Sequence, residues 1–600
     1  MSKKKKRSLG IIIKSLFLGS NHLEELNVME EEEMASPFRT IVKNFLENKI
    51  AMTGAFTFSV IFILSMTLPI FFPLDTTFQD STQQNTAPGF SMLSMPKSLQ
   101  ANLKQVSVGS TFSLGLDNDG NLYQWGTIPA NLQVMPSGMR QLDQVSAGVD
   151  HALGLSTDGT VYTWGNSRLG LGNIPIDVQN ADNIVKVYAG QQLSFAITED
   201  GKLYFWGNEN LISVRIPSAE QGNFADVTSN SSTAMAITTD GRVFNLANQE
   251  SPFSAVPDSI QGNTTKLAMT TKAVAALSKD GYVTFWGGLQ GGLGDIPEEI
   301  QGKVIDIAGG RSHFSAVTED GRVYSWGSDY YGESTAPSKV TNAISVTSGS
   351  YQNYVETSGN TVVTWGLSGY LMGTDHQGRD VASRLASGGR LTMTIGAVAV
   401  IIQSVIGIFV GGMAGFYGGK VDNFLMRLAE VVGSIPFIPL AMILSALVGN
   451  RLPETARIYM IMVILGVISW PGLARLIRGQ VLAEREKEFV TAARAMGLQE
   501  HVIIFKHILP NVITVIIVSV TLSFASSMLT ETSLSFLGFG VLEPNATWGN
   551  MLTGSQSSVV IRDYWWRWVF PALALSLSTI SINLIGDGLR NAIDPKSNER

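Results

Sequence analysis

Few side chains in this 600-residue sequence are spaced for covalent or metal chemistry. There is no cysteine, which excludes disulfides and thiolate ligands. The six histidines, from His22 to His507, never pair at metal-ligand spacing, so no metal centre is expected. The run Asp117-Asn118-Asp119 has the residue types of a calcium loop, but it lacks that loop's length and closing glutamate and reads as a turn. The glycines within Gly411 to Lys420 suggest a phosphate loop, yet Ala414 stands where its first glycine is required and Val421 where Ser or Thr must follow the lysine. Glu531 is an acid at the end of an apolar run. A helix starting at Pro510 rises about 31 Å to reach it, which predicts a position near the outer membrane interface and a packing or gating role rather than proton transfer. No nucleophile, base and acid form a set, so the chain is expected not to be an enzyme.

The elements around these residues divide into two kinds. Ile50 to Phe72 carries no charge over 23 positions, enough for a hydrocarbon layer of roughly 30 Å. Five further runs, Leu391 to Tyr417, Val431 to Gly449, Ile458 to Ala474, Val512 to Leu529 and Trp568 to Ile585, predict six spans in all. Glycines at 396, 407, 411, 412 and 415 suit close helix packing. The hydrophobic fraction of 45% and mean hydropathy of +0.17 fit apolar spans mixed with an ordinary water-soluble part. The basic tail and a loop bearing Arg475, Arg478, Arg485, Lys487, Arg494 and Lys506 orient both toward the cytoplasm, with the C-terminus on the same side. Arg379, Arg384 and Arg390 then fall outside, where the length of the loop they end exempts them from the rule.

Between the first two spans a string recurs seven times, as in "ALGLSTDGTVYTWG" and "FSAVTEDGRVYSWG". Its period is close to 40 residues. Turn glycines fall at Gly120, Gly159, Gly201, Gly241, Gly281 and Gly321, with Asn360 following Gly359 in the seventh copy. The Asp-Gly pairs predict two-residue hairpins, each copy supplying two alternating strands. Tryptophans keep the same period at 125, 164, 206, 286, 326 and 365, with Leu246 in the fourth copy, and are expected in the blade core. One such unit cannot bury its own face, whereas seven arranged radially can close. Residues 100–370 hold 14 Lys and Arg against 25 Asp and Glu, a balance that repels nucleic acid.

These copies resemble the repeats of the regulator of chromosome condensation family, which are seven-bladed beta-propellers. That family serves several activities, so the likeness implies a fold and no particular reaction.

The loop "EREKEFVTAARAMGLQEHVIIFKHILP", residues 484–510, is too charged for a membrane but helical in period, with Leu482, Phe489, Ala493 and Met496 expected on one face. Gly497 is expected to end that helix, a second short helix to cover Gln499 to His507, and Pro510 to open the next span. The loop resembles the "EAA…G…LP" segment of binding-protein-dependent permeases, which docks on an ATP-hydrolysing subunit. Ala492, Ala493, Gly497, Leu509 and Pro510 match. Thr491 stands where that motif has its glutamate, with Glu488 nearby. "MGTDHQGRDVASRLASGGR" from Met372, "SLSFLGFG" from Ser533 and "NLIGDGLRNAIDP" from Asn583 resemble the dipeptide, oligopeptide and nickel branch, second permease type.

The fold class expected is therefore a multidomain chain, a six-span alpha-helical permease carrying an inserted seven-bladed beta-propeller. Its parts are a cytoplasmic tail (1–49), first span (50–72), linker (73–99), extracytoplasmic propeller (100–370) and permease core with coupling loop (371–600). The resemblance implies an importer subunit in a bacterial-type inner membrane that binds no cofactor itself. Its implied partners are a homologous second permease, two ATPase subunits holding ATP and magnesium, and an extracytoplasmic solute-binding protein. A membrane-anchored propeller receptor whose permease part no longer transports is the rival reading, which the intact Gly497 loop disfavours.

Overall fold

The structure, a computed structural model, describes residues 37–210, 213–448 and 453–593. Of the expected cytoplasmic tail, residues 1–36 lie outside them. The chain forms two compact units, one of Asp75–Arg384 with Ser557–Arg567, the other of the segments before, between and after these.

The first of these units contains seven antiparallel sheets, each of three consecutive strands, from β1 (Leu103–Val108), β2 (Phe112–Asp117) and β3 (Leu122–Gly126) through to β19 (Ala343–Ser348), β20 (Gln352–Thr357) and β21 (Val362–Gly366). The expected two strands per copy are the second and third of each blade. The strand missed is the first, "LKQVSV" in blade one, which lies outside the Asp-Gly hairpin. The first strands of neighbouring blades lie side by side and that of the seventh returns to the first, so the array is a closed propeller. Side chains tie successive blades. Gln105 bonds to both N and O of Val145, Gln144 does the same to Val187, and Lys186 and Lys266 pair with Asp226 and Asp306 at 2.7 and 2.6 Å. Trp125 Nε1 donates to Tyr354 Oη at 2.8 Å, joining blade one to blade seven.

The hairpins differ from the expected two-residue form. Asp117 N donates to Asn121 O and Gly120 N to Asp117 O, leaving the three-residue loop Asn118-Asp119-Gly120. Only its last residue has positive φ, +77° at Gly120 and +53° at Asn360 in the seventh copy. A three-residue loop needs one left-handed residue where a two-residue type I′ turn needs two, so the aspartate before each glycine keeps an ordinary backbone, and Asp158, Asp200, Asp240 and Asp320 brace their loops by accepting from the Ser or Thr two residues earlier. Asp117 accepts from Asp119 N, Asn121 N and Asn121 Nδ2 at 2.8–3.0 Å, which occupies it as a turn residue. The tryptophans are buried as expected, and those at 206, 286, 326 and 365 donate Nε1 to carbonyls of the preceding blade's loop at 3.0–3.2 Å.

The propeller extends beyond 100–370. Residues 80–99 are packed into it rather than forming a linker. Met92, Met95 and Leu99 are buried against blades one and seven, and fully buried Asp80 accepts from Tyr351 Oη at 2.6 Å and pairs with Arg311 at 3.0 Å. The two flanking segments meet in a bridge between Gly89 and Tyr370 and a hydrogen bond from Asn85 N to Asp375 O. Asp375 also pairs with Arg379 and with buried Arg384, which gives these arginines a structural partner.

The helical unit opens with α1 (Pro37–Glu47) and α2 (Lys49–Phe71). After the propeller come α3 (Val381–Tyr417), α4 (Gly419–Gly433), α5 (Phe437–Val448), α6 (Glu454–Arg485), α7 (Glu488–Ala495), α8 (Leu509–Phe536) and α9 (Trp566–Ile593). Among the described residues five helices are long and apolar enough to cross a membrane, or six if α4 and α5 count as one. The expected third span is that pair, bent by 70° where Pro436 interrupts the helix, and its last residue, Gly449, lies outside the described residues. Close approach follows the glycines. A Cβ at Gly411 would lie 2.4 Å from Ala474 O and one at Gly415 2.8 Å from Arg478 O, so α3 touches α6 backbone to backbone.

Candidate functional site

The loop between α6 and α8 is the segment in which the expected site residues meet. Helix α6 stops at Arg485, and Lys487, extended at ψ 152°, turns the chain into α7 with Glu488 as its first residue. That break removes Leu482 from the expected common face. In α7 the inward residues are Val490 and Ala493, 0 and 3% exposed, while Phe489 is half-buried and Met496 is 73% exposed. Glu488, Thr491 and Ala492 lie on the exposed face.

Gly497 ends α7 as expected, with φ +76°. Its N–H donates to Arg494 O at 2.9 Å, and Leu498 N donates to Ala493 O at 3.2 Å, the paired bonds that satisfy a helix's last carbonyls through a left-handed residue. A Cβ at this position would meet nothing within 4 Å, so glycine is needed here for its backbone, and the surface beside it is open.

The expected separate helix over Gln499 to His507 is instead the start of the next span. Glu500–Val502 continues into a wide π-turn, Ile503–Ile508, and then into α8 without a break. The wider winding sets residues five apart on one side, which buries Ile503, Ile504 and Ile508 together with Leu509 and Val512. Pro510, which is exposed, lies inside this continuous helix just after the wide turn and cannot donate to the turn before it.

Phe416, which sequence reasoning did not connect with this loop, holds it together with two of the loop's own arginines. Phe416, 2% exposed at the end of α3, packs with Val490, Ala493, Ile503 and Ile504. The Arg494 guanidinium lies 5.0 Å above its ring, and Arg485 Nη1 donates to Phe416 O at 3.1 Å. The arginines were legible only as charges, since their partner lies about 70 residues upstream.

Glu531 is fully buried. Ser535 Oγ donates to its Oε1 at 2.7 Å and accepts from Val541 N at 3.1 Å, which pins the turn of "SLSFLGFG" beneath α8. Gly540 packs so tightly on Ser535 that a side chain would not fit. Beyond that turn Thr547 and Asn550 form a reciprocal cap, and Trp548 Nε1 donates to Leu385 O at 2.9 Å.

With this geometry in place, the matches to known proteins fall on the same two units. Residues 403–599 match the binding-protein-dependent transport system inner membrane component, and residues 36–88 the N-terminal TM domain of oligopeptide transport permease C. Residues 143–170 and 304–333 match the regulator of chromosome condensation (RCC1) repeat. The oligopeptide transport system permease protein OppC of Haemophilus influenzae is 40% identical over 231 residues, 38% of this chain and 72% of that protein. The dipeptide transport system permease protein DppC of Bacillus subtilis is 39% identical over 227 residues, 38% of this chain and 69% of that protein. Among solved structures, the CRINKLY WD40 ectodomain of the Arabidopsis thaliana receptor kinase ACR4 covers 44% of this chain and 96% of its own, at 18% identity and a TM-score of 0.37. At 40% identity over more than two thirds of a relative's length, the chain belongs to the binding-protein-dependent peptide permeases, and RCC1-type repeats interrupt that family's sequence between its first two spans.

Proposed function

We propose that this chain is the permease subunit of an ATP-driven importer for peptides or a related small solute, nickel included, and that it moves solute by alternating access when partner subunits hydrolyse ATP. The observation that carries this reading is the exposed face of α7. Glu488, Thr491 and Ala492 present an exposed surface, with one acid and two smaller residues, that ends at an open glycine turn, while the opposite face is packed into the bundle. A second, homologous permease completes the pore, and ATP and magnesium sit on two partner ATPases that dock on this face. Both termini and the α7 loop lie in the cytoplasm. The propeller lies outside as a recognition module that docks the solute-binding protein. Its acidic balance and self-contained ring support a role apart from the pore. Purifying the tagged chain from its native membranes tests the assembly. Recovery with an ATPase, a second permease and a binding protein is expected, and recovery of the chain with none of them would overturn the reading.

A further inference from the structure

The loop between α6 and α8 is seated on the corner where α3 turns into α4, and that corner is built around arginines. Phe416 is buried among Val490, Ala493, Ile503 and Ile504, so the inward face of α7 rests on the last turn of α3. Arg494, on α7 itself, covers the Phe416 ring at 5.0 Å. Arg485, three residues before α7, donates to Gly415 O at 3.4 Å and Phe416 O at 3.1 Å. These carbonyls lack helical partners at the C-terminal end of α3, where a cation also meets the negative end of the helix dipole. The chain then reverses through Gly418 and Gly419, at φ +65° and +51°, and a Cβ on Gly418 would lie 3.1 Å from Arg485 Nη1. Glycine is therefore favoured at 418 for its backbone, and a side chain there would press on the guanidinium. One turn into α4, Asp422 pairs with Arg478 of α6 through two bonds of 2.5 Å.

We propose that the Phe416–Gly419 corner is the joint through which movement of α7 reaches the second span, with Phe416 and Arg485 as positioning residues for energy coupling. Helices α6 and α8 are joined to the loop by the chain, whereas α3 is joined to it by packing, with Phe416 and Arg485 at its end. A displaced α7 either carries α3 with it through Phe416 and Arg485 or slides past it. Backbone contact of Gly411 and Gly415 with α6 leaves α3 little room to deform locally, so a push at its end moves the helix as a body. The inference rests on the importer reading above.

The test uses the full chain co-purified with its ATPase subunits in lipid nanodiscs, with spin labels on cysteines replacing Ile401 on α3 and Tyr459 on α6, both exposed. The chain has no cysteine of its own to interfere. ATP with vanadate is expected to shift the distance between labels in the otherwise unmodified chain. Phe416→Ala and Arg485→Gln are expected to abolish the shift while trapping at least half as much nucleotide, and Arg485→Lys to restore it. An unchanged shift in Phe416→Ala and Arg485→Gln, or no shift in the parent despite trapped nucleotide, would overturn the joint. A parent that recovers no ATPase or traps no nucleotide would overturn the importer reading instead, and the joint with it.

Discussion

At the scale of single residues, Gly497 and His313 show how one position answers to different constraints. Gly497 is held at φ +76° with open space beside it, so its first requirement is a left-handed backbone, which costs an ordinary L-residue about 1–2 kcal/mol. Asparagine adopts that conformation most readily after glycine. Gly497→Asn is accordingly expected to keep most solute uptake and Gly497→Val to lose about tenfold or more, with equal amounts of both reaching the membrane. Equal loss in the two variants would show that volume, not backbone, is the constraint. His313 is fully buried in the propeller, its Nε2 2.8 Å from Asn353 Oδ1. Burial pushes its pKa from 6.5 down to about 4. The neutral ring's contribution is complete above pH 6.5 and is lost as pH falls toward 4, because the unfolded chain takes up the proton first, a change of roughly 3 kcal/mol. Melting followed by tryptophan fluorescence should show a steeper fall between pH 6.5 and 4 in the natural chain than in His313→Gln. Parallel curves would remove His313 from the acid response.

At the scale of elements, the propeller closes by packing rather than by exchanging a strand, since each sheet contains only consecutive strands. The seam between blades one and seven is covered by Met92, Met95 and Leu99 from the preceding segment, and each such buried side chain contributes about 1.5–3 kcal/mol. Residues 75–384, expressed alone, are expected to give a cooperatively melting beta protein. Residues 100–370 should melt about 10 °C lower or more, because the seam is uncovered. Calorimetry of the two fragments decides this, and equal melting temperatures would mean that residues 75–99 add nothing to closure. The bent pair α4 and α5 carries a related lesson. Apolar composition marks the segment for the membrane, while Pro436 and the Asp422–Arg478 pair decide its path.

At the scale of the whole molecule, a propeller inserted between two spans leaves a permease sequence readable on either side of it, because the flanking segments 80–92 and 368–379 run beside each other. Entry and exit of the insert are thus neighbours, and the chain that leaves α2 returns to begin α3 without a long excursion. If the propeller lies outside the cell, single cysteines at Thr157 and Ser338, both exposed, should react with an impermeant maleimide on intact cells, and one at Gln499 only after permeabilisation. Labelling of Gln499 from outside would reverse the topology.

What could be read in the sequence was what is local. An uncharged run of 23 residues, an Asp-Gly between alternating apolar residues, and a glycine at the end of a helical period each report on the few residues around them. Hence the spans, the hairpins and the end of α7 were legible. The first strand of each blade was not, because it is defined by pairing with the second strand and packing on the next blade, and lacks the Asp-Gly turn that marks the other two. The clasp of Asp80 with Tyr351 and Arg311 joins residues more than 200 positions apart. Phe416 with Arg485 and Arg494 joins residues about 70 to 80 apart. Such contacts form only when packed elements bring distant side chains together, so tertiary structure alone decided how the propeller is sealed and what the loop between α6 and α8 rests upon.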